Sequence, residues 1–200
     1  MQRGELRYLY KLMSRLLQKY RKEVIPAMQV KFGYKNVMMV PKIEKVVVNI
    51  GAGRMAGEPK FKDRIEKDIG LITGQKPAAR IAKKSISGFK VRQGMTVGFV
   101  STLRGRRMYD FVDRFVSIAL PRSRDFRGIE EKSFDQKGSL NLGIREQIIF
   151  PEVVYESSKD IFPFQITITT TAKTKEEGKE LLKLMGFPIR GLVEKFKPKA

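Results

Sequence analysis

Three segments of the chain alternate apolar and polar residues in the manner of a β-strand with one buried face. They span residues 42–50, 95–104 and 164–171, and in each one the apolar side chains recur at every second position. A period of two puts these side chains on one face of a strand and the intervening residues on the other. Residues 144–150 indicate a fourth, shorter strand, which Pro151 closes. The pattern predicts a sheet with a core side and an open side.

Between the predicted strands, apolar residues recur at the spacing of an amphipathic helix. Gly33 ends the second predicted helix and Pro121 ends the fourth, because these residues interrupt the helical backbone. Thr174 and Glu177 have the spacing of a capping box, which begins a helix. The predicted helices cover residues 5–22, 26–32, 61–72, 107–120 and 174–185.

The open sides of the predicted strands carry small polar and basic side chains. Asn49 lies beside Lys45 in the first strand, and Thr102 lies beside Arg104 in the second. Gln165 begins a row of threonines in the third strand. An open sheet face with this chemistry offers hydrogen bonds and positive charge to a partner.

Positive charge is concentrated between residues 69 and 109, where the chain has nine Lys or Arg and no Asp or Glu. Within this stretch, residues 75–94 include Pro77, Gly88 and Gly94 and show no sustained period, which predicts a long, partly ordered loop. A surface that is merely solvated mixes charges of both signs. The missing carboxylates therefore favour a surface that binds a polyanion over an ordinary solvated basic face.

The overall composition indicates nucleic acid as the polyanion. The 200 residues include 41 Lys and Arg against 21 Asp and Glu, a formal net charge of +20, and nucleic acid is the abundant cellular polyanion. The chain has no Cys and no His, so it lacks thiolate chemistry, the commonest metal ligand and the usual general base. We expect a cytoplasmic protein that is not an enzyme, holds no metal or cofactor and has no membrane span.

One motif favours an enzyme instead. The strand over residues 42–50 leads into Gly51, Gly53 and Gly57 and then into the helix over residues 61–72, which imitates the glycine turn of a dinucleotide-binding fold. The glycine spacing is longer than that of the fingerprint, a proline follows at once, and no second strand–helix–strand unit lies downstream. We favour the competing interpretation, in which the glycines let the strand leave the edge of the sheet.

The basic amphipathic helix over residues 5–22 leaves a membrane-binding alternative open. Such a helix can lie on an anionic membrane or on a partner, but packing on its own domain is the favoured interpretation. Met13 is a plausible start, so the first twelve residues are interpreted as an extension. The resulting division is an N-terminal helix (residues 1–22), one nucleic-acid-binding domain (residues 23–190) and a basic tail (residues 191–200).

Seven phrases of the sequence are more specific than any spacing. They are VPKIEKVVVNIGAG (residues 40–53), TGQKP (73–77), GFKVRQG (88–94), TLRG (102–105), PRSRDFRG (121–128), SFDQKGSLNLGIREQIIFPE (133–152) and ITITTTAKTKEEG (166–178). In this order they resemble the bacterial large-subunit ribosomal protein L5 family, whose members bind 5S ribosomal RNA (rRNA). The resemblance extends over residues 13–190 and implies that the domain over residues 23–190 is the RNA-binding domain of a ribosomal protein.

The resemblance implies an α+β fold, in which a twisted, antiparallel-rich sheet has helices on one face and binds RNA with its open face. The positions that match the family's 5S rRNA contacts are Asn49, Gln75, Thr102 and Arg104. The resemblance also implies that the loop after TGQKP contacts the transfer RNA (tRNA) in the ribosomal P site. The candidates in that loop are Lys76, Arg80, Lys83 and Lys84.

The resemblance also implies further binding partners and further RNA-binding residues. The implied partners beyond 5S rRNA and P-site tRNA are large-subunit rRNA, other 5S-associated ribosomal proteins and a head protein of the small subunit, contacted across an inter-subunit bridge. The implied location is the large subunit of the cytoplasmic ribosome. The additional RNA candidates are Lys45, Lys90, Arg92, Arg106, Arg122, Arg124 and Arg127.

Overall fold

A five-stranded antiparallel sheet is the frame of the molecule. The computed structural model describes residues 14–53, 59–89, 91–124, 126–153 and 161–190. Its strands are β1 (Ile43–Gly51), β2 (Ala78–Ile81), β3 (Thr96–Leu103), β4 (Leu140–Ile144) and β5 (Phe164–Thr170). They lie in the order β2-β3-β1-β5-β4, and each neighbouring pair is antiparallel. The predicted α+β class with an antiparallel sheet is confirmed.

Four helices accompany the sheet in the described ranges. Helix α1 covers residues 15–32, α2 is Pro59–Thr73, α3 covers residues 105–122, and α4 is Lys175–Leu184. The capping box predicted at the start of α4 is present: the Glu177 N–H donates to Thr174 Oγ1, and Glu177 accepts from the Thr174 N–H. This helix begins where the sequence predicts because two otherwise unpaired backbone donors are satisfied locally.

One face of the sheet forms the core with the helices. Val46, Val48 and Ile50 of β1 are at most 1% exposed, as their alternation predicts. Phe111 and Phe115 of α3 stack on one another, and both stack on Phe150, with ring centroids 5.9–6.3 Å apart. These aromatic side chains therefore belong to the core, as predicted, and they hold α3 against the sheet.

A bulge near the start of β1 corrects the predicted alternation. The sequence places Ile43 on the open face with Lys45, but Ile43 is buried. The pairing of β1 with β5 shifts between these two residues, so the strand contains one extra residue at this point. A bulge of this kind reverses the alternation. It turns Ile43 towards the core while Lys45 stays on the open side.

The helices over residues 15–32 and 105–122 each contain a π-helical turn just before a proline. These turns are Tyr20–Val24, before Pro26, and Phe115–Ala119, before Pro121. In an α-helix the proline ring clashes with the carbonyl four residues earlier, and the wider turn, with its extra residue, relieves that contact. The prediction of two separate helices before residue 33 and of a helix end at Pro121 was therefore wrong.

Helix α1 packs on its own domain. Arg15 bonds Asp113 of α3 at 2.7 Å, and the Tyr20 hydroxyl donates to the Pro41 carbonyl at 3.1 Å. Burial raises the pKa of Tyr20 to about 12, so this phenol stays protonated and keeps its donor. The division proposed between residues 22 and 23 lies inside α1, and Gly33 ends the helix as predicted, with a φ of 69°. Residues 1–13 and the tail 191–200 lie outside the described ranges.

The stretch over residues 75–94 is more ordered than the predicted loop. Its first part forms β2, which pairs with β3. Residues 82–95, here called the arm, continue as a hairpin: Ala82 and Met95 share a backbone hydrogen bond of 2.9 Å, and Ile86 and Val91 exchange two of 2.9 and 3.2 Å. All four residues of β2 are exposed, so no buried alternation signals this strand in the sequence.

The fourth predicted strand is displaced along the chain. The sequence predicts it over residues 144–150, whereas β4 ends at Ile144 and Gln147–Ile149 forms a 3-10 turn. Gln147 is fully buried, and its Oε1 accepts from the Phe162 N–H at 2.9 Å. A buried amide with a backbone partner fixes this segment as a turn. The strand itself was missed because Gly143 interrupts its alternation.

Two glycines let α4 cross the chain at close range. A Cβ on Gly178 would lie 2.2 Å from the Gly138 carbonyl oxygen, and Gly138 has a φ of +73°. By contrast, a Cβ on Gly70 in the last turn of α2 would meet nothing within 4 Å. The same substitution should therefore have opposite effects in the two helices.

We predict that Gly178→Ala lowers the free energy of unfolding by about 1–3 kcal/mol, because it overpacks the contact with Gly138. Gly70→Ala should raise it by about 0.5–1 kcal/mol, because alanine is the better helix former where space is open. Urea denaturation of both variants measures the two values. Stabilisation by Gly178→Ala would contradict the close crossing.

Candidate nucleic-acid interface

The open face of the sheet, on the side opposite the core, carries polar side chains in register. On the central strand, Val47 lies between Thr102 of β3 and Thr167 of β5. Thr167 in turn pairs with Asn141 of β4, and its hydroxyl donates to Asn141 Oδ1 at 2.8 Å. The Asn141 NH2 group makes no hydrogen bond within the described chain, so it can donate to an external group. Hydroxyl and amide groups from three strands thus form one row.

A second row runs through Asn49. The register places Asn49 between Val100 of β3 and Gln165 of β5, and Gln165 pairs with Gly143 of β4. Asn49 and Gln165 are both exposed. Among the described residues, neither side chain has a hydrogen-bond partner, so both amides are free to bind an external group.

The register moves Arg80 from the predicted loop to the open face. Arg80 lies in β2 and pairs with Gly98, which pairs with Gly51 of β1. Lys45 lies at the other end of β1, opposite Thr169. Two cations therefore flank the uncharged rows. The five strands, as the structure describes them, contain one acidic residue, Glu44, which lies at the bulge.

Gln75 supports the end of this face from the turn after α2. Its Nε2 donates to the Thr102 carbonyl at 3.1 Å, while the Thr73 hydroxyl donates back to the Ile69 carbonyl at 2.7 Å. The turn is thereby tied both to the helix and to β3. Gln75 thus has a structural role besides any contact with RNA, and it lies close to the sheet residues that share its predicted role.

Arginines gather where β3 runs into α3. Arg104 caps the helix without a side-chain hydrogen bond, no acidic residue lies in the first turn, and Arg106 reaches Asp110 at 3.5 Å. Arg107 is exposed. The positive end of the helix dipole and its unpaired N–H groups add to these charges. The start of α3 is therefore a favourable place for a phosphate group.

The arm presents cations beside exposed apolar side chains. Lys83 and Lys84 line a hollow of about 700 Å³ together with Ile86 and Phe89. Phe89 is 76% exposed, which is unusual for an aromatic side chain without a partner. The charges of the arm are evident from the sequence, whereas its exposed apolar surface is not.

The remaining predicted cations lie elsewhere. Lys76 lies in the turn between α2 and β2, at the end of β2 away from the arm, and forms an ion pair with Glu66 of α2 at 3.0 Å, so a carboxylate just outside the stretch over residues 69–109 compensates its charge. Arg92 is exposed on the arm, and Arg122 is exposed at the end of α3. Lys90 lies outside the described residues.

The remaining predicted arginines line a cleft beside β4. Arg124 and Arg127 line it together with Arg145 and Arg190, and its volume is about 600 Å³. Arg190 approaches Glu130 at 3.9 Å. Arg145 was not among the predicted RNA candidates, because the fourth strand was predicted too late in the chain.

The topology argues against a dinucleotide-binding fold. Such folds need parallel strands joined by crossover helices, and each pairing in this sheet is antiparallel. β1 is the central strand, so its glycine turn does not lie at a side edge of the sheet either. Gly57 falls outside the described residues. Within the described part of the chain, no helix has the length and apolar character needed to cross a membrane.

Comparison with known proteins decides the family. The model for "Ribosomal protein L5" matches residues 36–92, and a second model, for the C-terminus of the same ribosomal family, matches residues 96–189. This chain belongs to the ribosomal protein L5 family. The predicted resemblance is confirmed, and the matched residues include the open face, most of the arm and the start of α3.

Bacterial relatives agree with this assignment over nearly their whole length. The large ribosomal subunit protein uL5 of Carboxydothermus hydrogenoformans is 55% identical over 177 residues, which are 88% of this chain and 99% of that protein. The uL5 protein of Syntrophomonas wolfei is 52% identical over 178 residues, 89% of this chain and all of that protein. Membership of this family confirms a large-subunit ribosomal protein, rather than an enzyme, whose partners are the ribosome and its rRNA.

Gln75 and Arg104 should differ in their effect on stability. Gln75→Leu removes the hydrogen bond to the Thr102 carbonyl and should lower the free energy of unfolding by about 0.5–1.5 kcal/mol. Arg104→Ala should change it by less than about 0.5 kcal/mol, because the exposed guanidinium has no bonding partner in the described chain. Guanidinium denaturation followed by circular dichroism tests both. Equal losses would mean that Arg104 also holds the fold together.

Proposed function

We propose that this L5-family chain binds 5S rRNA through the open face of its sheet. The observation that carries the proposal is the chemistry of that face: uncharged amides and hydroxyls in register across β3, β1, β5 and β4, with cations at the margins and one carboxylate at the bulge. Asn49, Gln75, Thr102 and Arg104 lie on or beside it. The family resemblance supports the same four positions.

Uncharged and positively charged side chains would have different roles in binding. Short amides and hydroxyls, such as those of Asn49 and Thr102, hydrogen-bond base edges and ribose 2′-hydroxyls, and the latter distinguish RNA from DNA. Lys45, Arg80 and Arg104 would neutralise phosphates, which supplies most of the affinity through the release of counterions. An open sheet face accepts unpaired loop nucleotides more readily than a double helix, because unstacked bases can spread over it.

We further propose that the arm contacts the tRNA in the P site. Lys83 and Lys84 are exposed beside Ile86 and Phe89, and an exposed aromatic ring next to cations suits a backbone with accessible bases. Arg92 extends the same positive surface. Arg80 in β2 and Lys76 in the turn before it remain candidates. The arm projects from the edge strand β2, away from the central rows, so one chain could hold both RNAs.

The family resemblance supports the remaining partners. We propose that the chain contacts large-subunit rRNA, other 5S-associated ribosomal proteins and a head protein of the small subunit. Arg106, Arg122, Arg124 and Arg127 are the cations offered for these contacts, and Lys90 remains a further candidate from the sequence. The arginine-lined cleft next to β4 lies at the opposite side of the sheet from the arm.

Arg104→Ala should weaken binding to isolated 5S rRNA by about 1–3 kcal/mol, the range for a hydrogen bond to a charged group. Lys137→Ala is the control, because it removes one charge from an exposed turn that packs on α4 and not on the open face. Filter binding at fixed salt measures both affinities. If both variants lost the same affinity for 5S rRNA, the loss would reflect net charge alone, which would contradict a contact at Arg104.

The double variant Lys83→Ser/Lys84→Ser should separate the two RNAs. We expect 5S rRNA affinity to stay within a few-fold of normal, because β2 and the open face are unchanged. On ribosomes reconstituted with this variant, P-site tRNA should dissociate on the order of tenfold faster, a change of about 1.4 kcal/mol. Lys35→Ser/Lys137→Ser removes equal charge elsewhere as a control. Loss of 5S rRNA binding with unchanged tRNA release would show that the two basic regions are assigned the wrong way round.

A further inference from the structure

A shallow depression lies on the open face between β1, β5 and the end of β4. Its volume is about 450 Å³, which is large enough for a single ring system and too small for a helix. Asn49 and Gln165 line it from the central strands, and Arg145 lines it from just beyond β4. Gln165, Gly143 and Arg145 are not among the residues that the resemblance assigns to 5S rRNA.

Two glycines keep the depression open, and the fold does not require them. Gly51 and Gly143 both line it, and a Cβ added to either would meet nothing within 4 Å. Neither residue has a positive φ. Glycine within a strand weakens the strand, and it commonly marks a place where a ligand approaches the backbone closely. The space above these residues therefore leaves room for a group from outside the chain.

The polar groups of the depression suit the edge of a nucleobase. Asn49 and Gln165 are direct partners across β1 and β5, so their side chains lie side by side on the open face. Each amide has one acceptor and two donor hydrogens, and such amides pair with base edges in two-bond arrangements. Arg145 is exposed at the margin, where a guanidinium can hold the adjoining phosphate.

We propose that this depression receives one unstacked base of the bound RNA. Asn49 and Gln165 bind the edge of the base, Gly51 and Gly143 leave room for its ring, and Arg145 holds its phosphate. The inference rests on the proposed binding of RNA by the open face, and it adds a residue-level subsite to that function. An RNA base is favoured over a protein side chain for two reasons. The amides of Asn49 and Gln165 lie side by side without hydrogen-bond partners in the described chain, and the margin of the depression is positively charged at Arg145.

The test uses two variants of the full chain with isolated 5S rRNA. Gly143→Val adds bulk to the depression at a position where a Cβ meets nothing within 4 Å, and Gln165→Leu removes one amide at nearly constant size. Gln136→Leu, at an exposed position in the turn that precedes Gly138, is the matched control. Filter binding gives the affinities, thermal melting reports the fold, and chemical modification of Watson–Crick edges reports the bases that the protein covers.

We expect wild-type protein to protect at least one unpaired base. Gly143→Val and Gln165→Leu should each bind about tenfold more weakly and leave that base reactive, with melting temperatures no lower than that of Gln136→Leu. The control should keep both affinity and protection. Wild-type binding with no loss in either variant, or with no base edge protected, would overturn the subsite and leave 5S rRNA binding standing. Absence of wild-type binding would overturn the proposed function and the subsite together.

Discussion

The one-sided burial of the sheet is the constraint on which the rest of the structure depends. Helices cover Val46, Val48 and Ile50 of β1, and the hydrophobic effect fixes that face because each of these side chains loses nearly all its contact with water. Period-two alternation then forces the intervening residues outward. β1 is the central strand. Its register with β3 and β5, and through them with β2 and β4, sets which residues of the other four strands face outward. The open face is thus a consequence of the core.

The charge of the chain gives that open face a role. A net charge of +20 opposes compact folding through self-repulsion, and a polyanion relieves it. The cations are not spread evenly: Lys45 and Arg80 flank the uncharged rows, arginines gather at the start of α3, and the arm carries another group. Uncharged groups in the centre can discriminate between nucleotides, while the surrounding cations supply affinity. This arrangement fits an RNA-binding member of the L5 family.

Local signals made much of this predictable from the sequence. The strands β1, β3 and β5, the capping box at Thr174 and the outward positions of Asn49 and Thr102 follow from alternation or from short-range spacing. Non-local pairing decided the rest: β2 is exposed on both faces and has no alternation, and β4 is recognised only by its pairing with β5. The same pairing moves Arg80 from the loop to the sheet and brings Gln165 beside Asn49. Sequence spacing holds no information about which strands become neighbours, so these parts of the site needed the structure.

The central claim, that RNA binds the open face of the sheet, can be tested most directly with the valine methyl groups. Val47 and Val100 lie on the open face, whereas Val30 is 88% exposed on α1 and serves as an internal control. Methyl NMR spectra of the full chain, recorded with and without 5S rRNA, compare them in a single experiment. We predict that the signals of Val47 and Val100 shift or broaden on binding while that of Val30 stays in place. A bound complex in which Val30 responds and the two open-face valines do not would contradict the account.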